Sequence, residues 1–291
     1  MKRFCLKMPP WPPVILDMLA NSFCHFPGIG PSEEQNLWDA GVHHHKQVLE
    51  VDNLPIAISL EAFKSHCHVS QQALEQGNSQ YFMQHLPSQE SWRMFEDFKD
   101  KVAYLDIETN GRRNDPDQVT TISIYTGKAF KTFVKDQNLE EFPKIIQKFK
   151  LLVTFNGKSF DLPVLRMRFG LSFDHAHIDL MHILRSLGYK GGLKSIEKQL
   201  GIHRPETPHE LNGRDAIKLW RNFRRTKNPK ALETLLAYNM EDVLNLERLM
   251  IFTWNQKQKF LPSMIKNNLP RPKTYRNPFE PDHQLIEQIL M

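Results

Sequence analysis

Hydrophobic and polar positions along the chain change their period near residue 102. Before it, apolar residues recur at helical spacing. Residues 56–77, with Ile58, Phe63 and Leu74 apolar, predict one helix, and a second piece runs from about Glu90 to Phe98. Residues 14–50 read as short helices around Phe26-Pro27-Gly28-Ile29-Gly30-Pro31, and residues 1–13 as a Pro-rich arm. After residue 102 the signal turns to strands. Val102-Ala103-Tyr104-Leu105-Asp106-Ile107-Glu108 predicts a buried strand, and Val119 to Tyr125 and Lys128 to Val134 predict two more around the hairpin signal Thr126-Gly127. A helix from about Leu139 to Phe149 follows, then a β-rich run, Leu151 to Phe155, ending at the turn dipeptide Asn156-Gly157. Further helices are expected over about Leu162 to Phe169 and near 193–200, 213–226 and 229–253. Strands in series, then alternating with helices, predict an α/β fold, a mixed sheet flanked by helices and preceded by a small helical region. The tail from 255 carries prolines at 262, 270, 272, 278 and 281 and is expected to wrap the surface before a last short helix. The expected organisation is therefore 1–98, 99–255 and 256–291.

Composition narrows the class. With 291 residues, 40% hydrophobic and 24% charged, the chain can bury a core, which argues against a largely disordered protein. No run of about 18 apolar residues exists, so no membrane span is expected. The basic start is broken by Pro9, Pro10, Pro12, Pro13 and Asp17, which leaves no apolar signal core. Three cysteines, Cys5, Cys24 and Cys67, form no CxxC and no even framework, and a reducing, cytoplasmic home fits them. The net charge of +5 is unevenly spread: residues 1–100 carry −5 and residues 101–291 carry +10. The basic surplus of the later part suits a polyanionic partner.

Candidate chemistry begins with Asp106 and Glu108. Side chains two apart on a strand share a face, so two carboxylates stand side by side on an otherwise buried element. Unpaired buried charge costs several kcal/mol, and a divalent cation with oxygen ligands, Mg²⁺ or Mn²⁺, would offset it. The alternative is a strand end where both acids meet water. Asp161 lies in Asn156-Gly157-Lys158-Ser159-Phe160-Asp161, where a strand ends and a helix with Pro163 in its first turn begins. It reads equally as a helix cap. Tyr238 and Asp242 are four apart within 229–253 and share a helix face with Leu235, Val243 and Leu246 close by, which turns Asp242 inward. A surface Asp beside a core Tyr is the alternative.

Taken in order, a DxE strand, an N-x₄-D turn and a Y-x₃-D helix resemble the DEDD superfamily of 3′–5′ exonucleases on the ribonuclease H-like fold. Position 238 is Tyr and 237 is Ala, as in the tyrosine form. Ile178-Asp179-Leu180, Gly188-Tyr189-Lys190-Gly191-Gly192-Leu193-Lys194, Trp92-Arg93 and Phe26-Pro27-Gly28-Ile29-Gly30-Pro31 are similar to the bacterial YprB-type members, over most of residues 20–253. The resemblance implies phosphodiester hydrolysis with two Mg²⁺ or Mn²⁺ ions held by Asp106, Glu108, Asp161 and Asp242. Tyr238 would orient the attacking water as an un-ionised phenol. Asn156 would touch substrate or steady the site, and Asp179 would lie close by or cap the helix at 180–186. Lys194 would reach a phosphate or stay solvated. A non-catalytic nucleic-acid-binding module and an endonuclease on the same fold remain open, as do DNA or RNA as substrate and the identity of any protein partner.

Two further features bear on partners. Arg214, Lys218, Arg221 and Arg225 fall on one face of the 213–226 helix, with Trp220 and Phe223 between, and no acid occurs between Ala216 and Leu232. Such a stripe can neutralise a nucleic-acid backbone or be a solvated amphipathic face. Gly28-Ile29-Gly30 resembles the hairpin of a helix-hairpin-helix module, which offers backbone N–H groups to phosphate; a turn that packs or contacts a protein is the alternative. His43-His44-His45, His66-Cys67-His68, His175 and His177 lack the spacing of a structural zinc site.

Overall fold

The helices of the first hundred residues assemble around a buried arginine. The computed structural model describes residues 17–204, 210–273 and 275–290; the expected Pro-rich arm, 1–13, and Cys5 lie outside them. The chain divides into two compact units, one of residues up to Asp100 with Trp254–Leu269, the other of Lys101–Thr253 with the residues from Pro270 on. The first unit contains α1 (Pro31–Asp39), α2 (Leu60–Glu75), α3 (Ser79–His85) and α4 (Met94–Phe98). On α2 the buried residues Phe63, Cys67, Ser70 and Ala73 recur every three or four positions, which is the face of an amphipathic helix. Arg93 is 3% exposed and bonds Glu34 at 2.8 Å and Glu90 at 2.9 Å. Glu34 also accepts from the backbone N–H of Phe23 at 2.6 Å, so the charged group fixes the turn before α1.

The contacts of that turn favour packing over a phosphate cradle. The amide of Gly30, one that a phosphate would use, donates to Glu33 Oε2 at 3.0 Å, and this carboxylate would repel an anion. Phe26 and Ile29 are buried, so the segment packs. The histidines serve packing and capping: His45 Nε2 lies 2.8 Å from the Ser22 carbonyl oxygen, His44 Nδ1 accepts from the Lys46 N–H at 3.0 Å, and His66 stacks on Phe26.

In the second unit a mixed sheet joins β1 (Val102–Thr109), β2 (Val119–Tyr125), β3 (Phe130–Val134), β4 (Leu151–Thr154) and β5 (Ala176–Asp179) in the order β3-β2-β1-β4-β5. The pairs β1–β2 and β2–β3 are antiparallel; β1–β4 and β4–β5 are parallel. Helices α5 (Phe142–Ile146), α6 (Asp161–Phe169), α7 (Leu180–Ser186), α8 (Leu193–Gln199), α9 (Gly213–Thr226), α10 (Pro229–Lys257) and α11 (His283–Leu290) accompany it. The α/β architecture is the one the hydrophobic pattern predicts. Because side chains alternate along β1, Ala103, Leu105 and Ile107 enter an apolar cluster with Phe133, Phe142, Leu162 and Leu165. Tyr104, Asp106 and Glu108 leave on the opposite face.

Several boundaries differ from expectation. Strand β3 begins at Phe130 because Lys128 and Ala129 belong to the turn, where both N–H groups donate to Thr126 Oγ1. The helix expected from Leu139 to Phe149 is a 3₁₀ turn, Leu139–Glu141, followed by the short α5. The sequence reading missed β5: four residues that include His177 and Asp179 offer no apolar run. Among the described residues no helix is long and apolar enough to cross a membrane.

Candidate active site

The pairing of β1 creates the opening in which the acids meet. Its register with β4 covers Val102 to Tyr104, whereas its register with β2 continues past Glu108. The later half of β1 thus runs beyond the end of its parallel neighbour, the crevice where open α/β sheets place their sites. Asp106 lies opposite Ser123, and Glu108 opposite Thr121. Helix α10 brings Tyr238, Asn239 and Asp242 to this face. The hydroxyls of Ser123 and Thr121 donate to Asn239 Oδ1 at 2.7 and 3.2 Å, and Asn239 Nδ2 donates to Asp106 Oδ2 at 2.6 Å. One amide therefore fixes the helix, the strand and the first acid together.

Asp106, Glu108 and Asp242 each offer a carboxylate oxygen within 4.8 Å of the others. Asp161 approaches from the other edge of β1: its Oδ1 accepts from the Ile107 N–H at 3.2 Å, a group that β4 no longer reaches. It is the first residue of α6, one past the N-cap position that Phe160 occupies, and its carboxylate also takes its own backbone N–H. The cap in this region is Asp179, at the start of α7, whose Oδ1 accepts from Met181 N–H at 3.1 Å. The same carboxylate accepts from Asn156 N–H at 2.8 Å and Lys158 N–H at 3.1 Å. Asp179 thereby holds the turn that leads to Asp161.

Two residues make that turn possible. Asn156 sits at φ +64°, left-handed backbone that Asn tolerates better than most residues. A Cβ on Gly157 would meet Thr154 Oγ1 at 2.2 Å, so only glycine fits there. Asn156→Gly should keep the melting temperature, whereas Asn156→Val should cost about 1–2 kcal/mol. Oligonucleotide affinity measured on the Gly variant isolates the side chain: a loss at unchanged melting temperature assigns it a substrate contact rather than a conformational role.

Burial is the main force on the acids. Glu108, Asp161 and Asp242 are 8%, 3% and 6% exposed, and Asp106 is half-buried. Desolvation and then the neighbouring carboxylates push Asp106 and Glu108 well above the usual carboxylate range. Desolvation raises Asp161 to about 7 against the backbone N–H groups that lower it. Asp242 is also raised by burial, opposed chiefly by Arg204. Burial and these same charges raise the Tyr238 phenol, which stays un-ionised. Such a set of crowded oxygen donors fits a hard divalent cation.

Lys194 is not a solvated lysine: its Nζ sits 4.5 Å from the Tyr238 ring centroid, and burial lowers its pKa. Arg214, Lys218, Arg221 and Arg225 are exposed on α9 while Trp220 is buried, an amphipathic face. The start of α9 lies against the loop after β1, where a Cβ on Gly111 would meet Ile217 at 2.7 Å. The stripe is not in the acidic cluster. The sequence reading missed Asn239, Glu197 and Arg204. Asn239 had a signal, standing three residues before Asp242 on one helix face. Arg204 had none, since Asp242 and Glu197 reach it only through the fold. A cavity of about 320 Å³ is lined by Lys194, Glu197, Arg204, Tyr238, Glu241 and Asn277 among others; none of the four acids lines it, and Arg204, paired with Asp242, links the two.

Residues 103–254 match the RNase_H_2 family model, described as RNase_H superfamily. The uncharacterized protein YprB of Bacillus subtilis (strain 168) is 37% identical over a 113-residue alignment that covers 34% of this chain and 26% of that protein. A family B DNA polymerase from the hyperthermophilic archaeon Pyrobaculum calidifontis superposes with a TM-score of 0.37 at 13% identity, over 54% of this chain and 29% of that one. The chain spans little more than a quarter of the length of either relative.

Proposed function

The chain belongs to the RNase H superfamily, and from that premise we propose that it is a metal-dependent nuclease, a 3′–5′ exonuclease of the DEDD superfamily in its tyrosine form. The observation that carries the reading is the convergence of Asp106, Glu108 and Asp242 in one buried cluster, with Asp161 held at its edge. These four carboxylates would hold two Mg²⁺ or Mn²⁺ ions. Such ions activate water and stabilise the leaving oxygen of a phosphodiester.

The chain's own groups supply the rest. Tyr238 keeps its proton and directs it, as a hydrogen-bond donor, at the attacking water. Asn239 fixes the orientation of Asp106. Lys194, held on the Tyr238 ring, faces the phosphate. Asn156 stands at the turn leading to Asp161, and Arg221 and Arg225 on α9 meet the backbone of the strand farther from the cut. Nucleic acid is the expected substrate.

End-labelled and circular DNA and RNA substrates, incubated with Mn²⁺, test the proposal. Release of mononucleotides from 3′ ends, blocked by EDTA, is the expected result. Cutting of circles would make the protein an endonuclease. Binding of strands without any cleavage would make it a non-catalytic module.

A further inference from the structure

Arg204 carries a relation that the acidic cluster alone does not explain. Its Nε and Nη2 donate to the two carboxylate oxygens of Glu197 at 2.6 and 2.7 Å, and Nη2 also stands 2.5 Å from Asp242 Oδ1. Glu197 is 1% exposed and is held in turn by Asn245 Nδ2 at 3.0 Å. The guanidinium is therefore anchored on one side and shared on the other. The shared side is an oxygen of the acid cluster. A cation that takes Asp242 competes with Arg204 for this carboxylate. Once outcompeted, Arg204 keeps Glu197 but has an unused N–H at the wall of the 320 Å³ cavity, where Lys194 and Tyr238 also stand. Guanidinium donors suit phosphate oxygens.

We propose that Arg204 is a further substrate-binding residue, which exchanges Asp242 for a phosphate of the nucleic-acid strand and so couples strand binding to cation binding. The inference rests on the nuclease reading above and names how its site is regulated. Without a strand, Arg204 holds cation affinity down. With a strand bound, its donor is occupied by phosphate and Asp242 is free. Linkage requires the converse too: the cation strengthens strand binding by the same factor. Glu197 acts on the same balance from the opposite side, because removing its charge leaves Arg204 with Asp242 alone.

Calorimetric titration with Mn²⁺ tests this on the full chain, with and without a nuclease-resistant phosphorothioate oligonucleotide. Arg204→Gln should bind Mn²⁺ about tenfold more tightly than wild type when no strand is present, the order of an ordinary coupling between sites. Glu197→Gln should bind it more weakly. The oligonucleotide should tighten Mn²⁺ binding to wild type about tenfold and leave Arg204→Gln unmoved. If both substitutions weaken Mn²⁺ binding, Arg204 merely holds Asp242 in place and the proposal is overturned. The Glu197→Gln result stands alone if Arg204→Gln does not fold: unchanged or tighter binding there also overturns it. Wild type binding Mn²⁺ no better than Asp106→Asn would instead defeat the nuclease reading on which the inference rests.

Discussion

Asp106→Asn should reduce Mn²⁺-dependent cleavage by about 10³-fold, the scale on which a single preorganised electrostatic group acts, while raising the melting temperature of the metal-free protein. The two effects have one cause. Asp106 stands in a strand whose neighbouring side chains are core, and desolvation together with Asp242, Asp161 and Glu108 opposes its charge. Asparagine keeps the shape and still offers an oxygen to Asn239 Nδ2, now 2.6 Å from Asp106 Oδ2. It removes one of four crowded ionisable carboxyls, which this site can neither charge nor protonate without cost. The fold loses a repulsion, and the site loses a ligand, which is the usual opposition of stability and activity. A variant that is both more stable and still active would show that the crowding of carboxylates serves no chemistry. The pH dependence has a definite sign. Asp161 is lifted to about 7, so it is increasingly protonated as pH falls through that value, and a protonated acid is a poor cation ligand. Mn²⁺ affinity should therefore drop on acidification below neutrality and release protons when the ion binds.

What the sequence made legible follows the range of the interaction that fixes each part. Alternation along β1 put Asp106 and Glu108 on one face, and that alternation is local. The four-residue step from Tyr238 to Asp242 is equally local and survives in α10. Asp161 was harder: the same residue type at a strand-to-helix turn serves as a cap or as a functional acid. Its carboxylate takes the Ile107 N–H of β1, left open where β4 stops and 54 positions away in sequence, a contact that no local pattern announces. Asp179 became the cap because β5 ends at it, and β5 itself is too short and too polar to announce. Arg204 and Glu197 show the limit. Neither has a periodic or motif signal, and their positions beside Asp242 depend on how α8 meets α10. The first unit repeats the lesson. The glycines of its early turn look like a phosphate-binding hairpin until Glu33, three residues on, takes the amide.

Arg93→Met should cost about 3–5 kcal/mol of stability, the penalty for breaking a buried ion pair by removing one partner. The side chain is 4% exposed and its partner Glu34 fully buried. Arg93 bonds Glu34, Glu90 and Ser22 Oγ, the last at 3.0 Å, so one substitution leaves Glu34 without a cation and Glu90 with Lys257 Nζ at 3.8 Å and the Trp92 indole N–H. Glu34 would keep the Phe23 and Cys24 N–H groups and the Ser22 hydroxyl. Neutral donors do not replace a cation in a dry interior. Methionine preserves most of the aliphatic volume, which separates charge from packing. The triple variant with Glu34 and Glu90 also made Met should recover much of the loss, because apolar replacement of a whole buried network is often near neutral. Urea unfolding followed by tryptophan fluorescence reads both variants, since the guanidinium lies 5.9 Å from the Trp38 ring centroid and 5.3 Å from that of Trp92. A cost under about 1 kcal/mol for Arg93→Met, the range of exposed pairs, would mean that water reaches this network. Failure of the triple variant to recover would mean that the charged groups, through the backbone amides they hold, fix the turn before α1 in a way that apolar packing cannot reproduce.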